Sequence, residues 1–307
     1  MTTSQQDANG PLLLCAFDHR DYFERLVAQH STHPLSSFAG VALAKELVLE
    51  AALAAVELVE PEARTGLGIF VDEQYGAHVA RRARGEGLLL AMPAERSSAP
   101  EFQCEFGERF AAHISTFDPH LVKVLVRHNP EDDADLLARQ AARLRELSDW
   151  CRSAGRALLF ELLVPALPAQ EAPDYVASRR LGLTLGALEE LVAAGIRPAV
   201  WKLEAPADVD DFSRLVAACR EADPEVRVVV LGGGADTGST VRGVRAAAAA
   251  GYDGFAVGRT IWAEPLTGWL RGSSTREQAV AQMAGTYAAC ISAYHAGVAA
   301  RPAAVPV

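Results

Sequence analysis

Lysine is almost missing from this chain. Of 29 basic residues only three are lysine (Lys45, Lys123 and Lys202), and the other 26 are arginine. A surface charge tolerates either residue, so exposure alone gives no reason to keep three lysines in an arginine-rich sequence. Long apolar runs are missing too. "PLLLCAF", "GLLLAM" and "VRVVVLG" fall far short of the roughly 20 residues that a membrane helix needs, so no membrane partner is expected. Positive charge is not in excess: the formal net charge is -10 with the acids spread along the chain, which argues against nucleic acid as a partner. The five cysteines (Cys15, Cys104, Cys151, Cys219 and Cys290) include no CxxC pair, which fits a reducing cytoplasm better than a disulfide framework. The start, "MTTSQQDANG", has no basic region followed by an apolar stretch, and so predicts no secretory leader. Neither HxH nor HExxH occurs, and no metal or other cofactor is assigned.

What is present is an alternation. Eight short apolar or β-branched runs lie at 12–17, 67–71, 88–92, 121–126, 157–163, 198–203, 226–231 and 253–257. Between most of them run alanine-rich stretches of helical period, such as "FAGVALAKELVLEAALAAVELV", "ADLLARQAARLRELSDWCRSAG" and "TLGALEELVAAG". Several end in glycine, a helix-stop signal, and the shorter "GAHVARRARGEG" still suits a helix. Strands alternating with helices predict parallel βα units, and eight of them predict a single-domain α/β fold, the (β/α)8 TIM barrel. A doubly wound open sheet is the rival, but no GxGxxG follows the first strand to support a dinucleotide-binding version. The barrel is expected over 11–295, with tails at 1–10 and 296–307.

In such barrels chemistry gathers at the C-terminal ends of the strands. Those ends carry Asp18-His19-Arg20, Asp72-Glu73, Met92-Pro93, Lys123 with Arg127, Glu161, Lys202 with Glu204, "LGGG" at 231–234 and "VGRT" at 257–260. In "LVKVLVR" and "AVWKLEA" a lysine sits among apolar strand residues. Desolvation lowers a lysine pKa and a nearby cation lowers it further, leaving neutral amine to attack a carbonyl. The plainer alternative pairs these lysines with Glu161 or Asp18 for structure, a task arginine usually performs better. Lys45, beside Glu46 in a helix, reads as a surface residue. Glu161, a lone acid in "ALLFELLVP", suits a carboxyl tuned towards neutrality for acid–base work, or the neutralisation of a lysine. Asp18 is a second carboxylate for the site, or a cap for the following helix.

The glycine turns after the last two strands, with Gly233, Gly234 and Gly258, suit phosphate, and Arg259 adds a bidentate contact. Asp18, Asp72 and Glu73 together are a weaker alternative site for Mg²⁺.

Several segments carry a resemblance. "LLLCAFDHRDYF", "VDEQYGAHVARRA", "LAMPAERS", "FDPHLVKVLVRHNP", "LLFELLVPALPAQ", "AVWKLE" and "DGFAVGRTIWAEPL" together resemble the DUF2090 family, from about residue 11 to 295. Its members are 2-deoxy-5-keto-gluconate 6-phosphate aldolase domains of myo-inositol catabolism, often fused to a sugar kinase. More distantly the chain is similar to tagatose-bisphosphate and sulfofructose-phosphate aldolases, which are class I barrels. The resemblance implies a Schiff-base aldolase acting on a small-molecule sugar phosphate, with Lys202 forming the imine. Lys123 and Glu161 would assist proton transfer, and Asp18 would match the first-strand aspartate. Gly233, Gly234, Gly258 and Arg259 would hold phosphate; apart from the resemblance, Arg127 or Arg20 is an arginine suited to the carboxylate of the second fragment. A homo-oligomer is expected, and no kinase domain. Two departures bear on the substrate tail: "GGG" at 232–234 where "GRG" is common, and a less acidic "DYVASRRLGL" from Asp174. A metal-dependent sugar-phosphate isomerase or aldolase and a non-catalytic sugar-phosphate-binding barrel are the competing readings.

Overall fold

The computed structural model describes residues 10–32, 37–232, 234 and 236–301. In chain order the elements are β1 (Leu12–Ala16), α1 (Arg20–His30), α2 (Ser37–Val56), β2 (Leu67–Phe70), α3 (Glu73–Gly85), β3 (Leu89–Pro93), α4 (Phe110–Phe117), β4 (Leu121–Arg127), α5 (Ala134–Ser153) and β5 (Ala157–Leu163). There follow α6 (Tyr175–Ser178), α7 (Arg180–Ala193), β6 (Val200–Glu204), α8 (Asp211–Ala222), β7 (Arg227–Leu231), α9 (Thr237–Ala249), β8 (Gly254–Val257), α10 (Arg259–Leu270) and α11 (Arg276–Ala299).

Every strand pairs in parallel with its chain neighbour, and β8 pairs back onto β1 through the register Leu12↔Gly254 to Cys15↔Val257. The sheet is therefore a closed (β/α)8 barrel, and the open-sheet alternative is excluded. All eight predicted runs overlap observed strands. The glycines after three helices, Gly155, Gly195 and Gly251, adopt positive φ as stop signals. α11 continues to Ala299, past residue 295 where the barrel was expected to end, and Arg301 donates to the carbonyls of Ala248 and Tyr252 at 2.7 Å each.

The side-chain period of two divides the strands into two faces. Leu12, Leu14, Ala16, Phe70, Ala91, Leu121, Leu159, Val200, Val229 and Ala256 fill the barrel interior. The alternate positions, including Leu13, Cys15, Val122, Val124, Trp201, Leu203 and Val228, pack outward against the helices. Lys123 is two residues beyond Leu121, Glu161 two beyond Leu159, and Lys202 two beyond Val200. The same alternation that points those aliphatic groups inward therefore aims all three charged groups into the upper barrel.

Lys45 corrects a sequence expectation. It is fully buried beneath β1 and β2, not at the surface. Its Nζ pairs with Asp72 Oδ2, donates to the Phe17 carbonyl at 2.7 Å and lies 4.5 Å from the centre of the Phe23 ring. Among the described residues no helix is long and apolar enough to cross a membrane.

Candidate functional site

A cavity of about 470 Å³ opens at the C-terminal ends of the strands. A larger space of about 760 Å³ lies at the opposite end, lined by residues such as Leu12, Leu67, Leu121 and Val200. We place the site in the smaller one, because Asp18, Lys123, Glu161 and Lys202, charged groups at the C-terminal ends of the strands, line it together.

The centre of this cavity is a charge cluster built from four strand ends and a loop. Lys123 Nζ lies 2.9 Å from Asp18 Oδ2, 2.7 Å from Glu95 Oε1 and 3.2 Å from Glu161 Oε2. Glu161 uses its other oxygen for Lys202, with Oε1 2.9 Å from Nζ, and Lys202 Nζ also stands 4.7 Å from the centre of the Phe70 ring. The register makes these contacts direct, since Glu161 and Lys202 are partners across β5 and β6. Burial by itself would raise the Glu161 and Asp18 carboxyls, but neighbouring Lys123 and Lys202 outweigh it and hold both below the usual carboxylate range. Burial likewise opposes charge on Lys123, yet Asp18, Glu95 and Glu161 raise it well above an ordinary lysine. Of the two sequence expectations for Glu161, the contacts fit the neutralisation of a lysine, since both its oxygens face lysine nitrogens. The carboxyl that is pushed upward is Glu95, where burial and the charge of Asp18 prevail over Lys123.

Glu95 escaped the sequence reading, which took Met92-Pro93 as the end of its strand and stopped there. The available signal was a charged residue in phase with Ala91 and Pro93, inside the "LAMPAERS" segment. His19 was also passed over as part of Asp18-His19-Arg20. It lines the cavity with its Nδ1 3.7 Å from Asp18 Oδ1 and its ring edge-on to Trp262. Asp18 does not cap α1: the cap position is His19, and no side chain bonds the helix start.

The other predicted residues divide. Gly234, Gly258 and Arg259 line one wall of the cavity, and Gly233 lies outside the described residues. At Gly258 a Cβ would lie 2.6 Å from the Ala16 carbonyl oxygen, so only glycine lets β8 turn into α10 this close to β1. The first turn of α10 carries no side-chain cap, whereas Asp236 caps α9. Arg259 sits beside Gly234 and 5.9 Å from the Tyr22 ring, with no carboxylate partner among the described residues. Arg127 reaches the opposite wall, exposed and likewise without an acidic partner among the described residues. Arg20 is different. Its guanidinium donates to Glu105 at 2.9 Å and to the Glu95 carbonyl at 3.1 Å, with Glu73 at 3.9 Å. It braces the loop after β3 and is not free for a ligand carboxylate.

The suggested Mg²⁺ set does not assemble. Asp72 turns to Lys45 and caps α3 through the Tyr75 N–H at 2.9 Å, while Glu73 faces Arg20 and His113. No group of three acidic, histidine or cysteine residues suited to a metal ion occurs among the described residues.

Comparison with known proteins gives two findings. Residues 1–297 match a family described as "Uncharacterized protein conserved in bacteria (DUF2090)". A solved structure of fructose-bisphosphate aldolase from Plasmodium falciparum, in complex with TRAP and a small molecule inhibitor, is similar in fold. It has a TM-score of 0.70 and 14% identity, covering 95% of this chain and 92% of that one. No curated protein matches the chain.

Proposed function

This chain belongs to the DUF2090 family, and from that premise and the lysine–carboxylate cluster we propose that it is a class I aldolase. Lys202 is the imine-forming residue. The observation that carries the proposal is its placement: a buried amine within 2.9 Å of a carboxylate, inside the cavity at the catalytic end of a TIM barrel. The substrate we assign is a phosphorylated keto-sugar acid, 2-deoxy-5-keto-D-gluconate 6-phosphate, cleaved to dihydroxyacetone phosphate and malonate semialdehyde. The similarity in fold to a fructose-bisphosphate aldolase supports the reaction class and leaves this sugar as our own assignment.

In this mechanism Glu161 Oε1 accepts a proton from the Lys202 nitrogen, which then adds to the substrate ketone. Loss of water gives an iminium, an electron sink for breaking the adjacent C–C bond. Asp18 and Glu161 share the charge of Lys123 and fix its position between β1 and β5. The phosphate lies in the Gly234 and Gly258 turns against the start of α10, which no side chain caps, and Arg259 receives the anion. Arg127, on the opposite wall, holds the carboxylate of the other fragment.

Borohydride reduction in the presence of dihydroxyacetone phosphate tests the reading. Mass spectrometry is expected to find the reduced adduct on Lys202, and Lys202→Ala to lose both adduct and turnover. Saturable binding without adduct or turnover would instead mark a non-catalytic sugar-phosphate-binding barrel.

A further inference from the structure

Three carboxylates, those of buried Asp18 and Glu161 and half-buried Glu95, surround two buried lysines in one cluster. Asp18 and Glu161 suffice to neutralise the pair. A third acid leaves one negative charge in excess where charge is costly to bury, and a network kept only for structure has no use for it. Geometry separates Glu95 from the other two. Both Glu161 oxygens face lysine nitrogens, whereas Glu95 offers only Oε1 to Lys123, and its Oε2 is buried with no hydrogen-bond partner among the described residues. Its backbone is held on both sides: Glu95 bridges Cys104, the Arg96 N–H donates to the Gln103 carbonyl at 2.8 Å, and Arg20 donates to the Glu95 carbonyl. The side chain is thus a firmly mounted carboxylate with one unbonded oxygen, on a residue that lines the cavity three strands away from Lys202.

We propose that Glu95 is the base that takes the hydroxyl proton during carbon–carbon cleavage, a proton transfer in which the family resemblance would have Lys123 and Glu161 assist. The inference rests on the aldolase reading. A substrate joined to Lys202 on β6 and held by its phosphate at β7 and β8 extends its remaining carbons towards β3 and β4. There Glu95 Oε2 removes the proton from the hydroxyl on the carbon that becomes the aldehyde. The O–H electron pair forms the new C=O bond. The C–C bond breaks, and its electrons move onto the iminium carbon–nitrogen unit to give a neutral enamine. Glu95 is left as the neutral acid, hydrogen-bonded to Lys123, and in the reverse direction returns the proton to the new alkoxide. Its upward-shifted carboxyl suits a base better than Glu161, whose two lysine contacts favour the ionised form.

Glu95→Gln keeps the shape and an acceptor for Lys123 but cannot take a proton. With this variant, borohydride trapping of dihydroxyacetone phosphate on Lys202 is expected at the wild-type level. Condensation of dihydroxyacetone phosphate with malonate semialdehyde is expected to fall in kcat by about 10²–10⁴-fold, the usual contribution of a positioned base. In Glu95→Gly, formate and other small carboxylates are expected to restore part of the rate, rising with their basicity. A Glu95→Gln enzyme within threefold of wild-type kcat overturns the proposal. So does loss of trapping in that variant, or a Glu95→Gly enzyme that no carboxylate revives, since either marks a structural role. Absence of trapping in the wild type removes the aldolase reading itself, and the Glu95 assignment with it.

Discussion

The three lysines perform two kinds of work with the same ammonium group. Lys45 is closed off from the cavity between the barrel and the helix layer, with Asp72 and the Phe17 carbonyl as partners. Because Phe17 immediately precedes Asp18, this contact anchors the chain just where the first carboxylate enters the site. Removing one member of a buried pair leaves an uncompensated charge, which costs about 3–5 kcal/mol. Lys45→Met is therefore expected to lower the urea unfolding free energy by that amount. Lys45→Met combined with Asp72→Asn should recover part of it, because the charge no longer lacks a partner. Lys123 differs by facing the cavity, although it too is a neutralised group. Its three carboxylate neighbours keep it protonated, so within the proposed mechanism it is a fixed positive charge and not a second nucleophile.

At the level of strands and turns, the wall proposed to receive the phosphate depends on how closely α10 approaches β1. Trp262 Nε1 donates to the Ala16 carbonyl at 2.9 Å, and the Gly258 turn fits against the same carbonyl. Gly258→Ala must push the start of α10 away from β1. Arg259→Ala removes a charge-assisted contact while leaving the turn in place, a loss of about 1.5–3 kcal/mol. We expect both to raise KM for dihydroxyacetone phosphate, Arg259→Ala by about 10–100-fold, the factor to which that energy corresponds. Steady-state kinetics of each purified variant checks this.

The same scale explains what the sequence made legible. A period of two places Lys123, Glu161 and Lys202 on the inner face without any knowledge of the barrel, since each follows an inward aliphatic residue by two positions. Glu95 keeps the phase of Ala91 and Pro93 but lies beyond the end of its strand, where a bridge to Cys104 that the sequence pattern does not show continues the extended chain. Arg20 and Arg127 look alike in sequence, yet only the tertiary fold brings Glu105 to one of them and leaves the other without an acid among the described residues. Lys45 looked exposed because its neighbour Glu46 suggested a polar helix face, while α2 is in fact buried over much of its surface.

For the whole molecule, the cluster ties stability to pH. Asp18 and Glu161 have folded pKa values below their unfolded ones, near 4. Their contribution is present above that pH and is lost as pH falls through the folded values. Lys123, raised in the fold, stabilises below its unfolded value near 10.4 and loses that contribution as pH rises through its folded value. Replacing Lys123 by Met leaves the three carboxyls short of a cation, so protonation should now favour the folded state. Thermal unfolding followed by circular dichroism is expected to show a higher Tm for Lys123→Met at pH 5 than at pH 7. Glu95, raised in the fold, contributes in the same sense in the wild type but is offset there by Asp18 and Glu161, so the wild type is expected to gain less than Lys123→Met.

The pairing of β8 with β1 has a consequence for how the protein is made. The first strand leaves the ribosome with one edge unsatisfied, and its partner Gly254–Val257 is synthesised more than two hundred residues later. Pairings so distant in sequence are slow to form, and an open strand edge invites pairing with other chains while it waits. α11 completes the closure last, when the Tyr287 hydroxyl donates to the Leu13 carbonyl at 2.5 Å. The lysine–carboxylate cluster, whose members begin at Asp18, therefore acquires its final geometry only after nearly the whole chain has been translated.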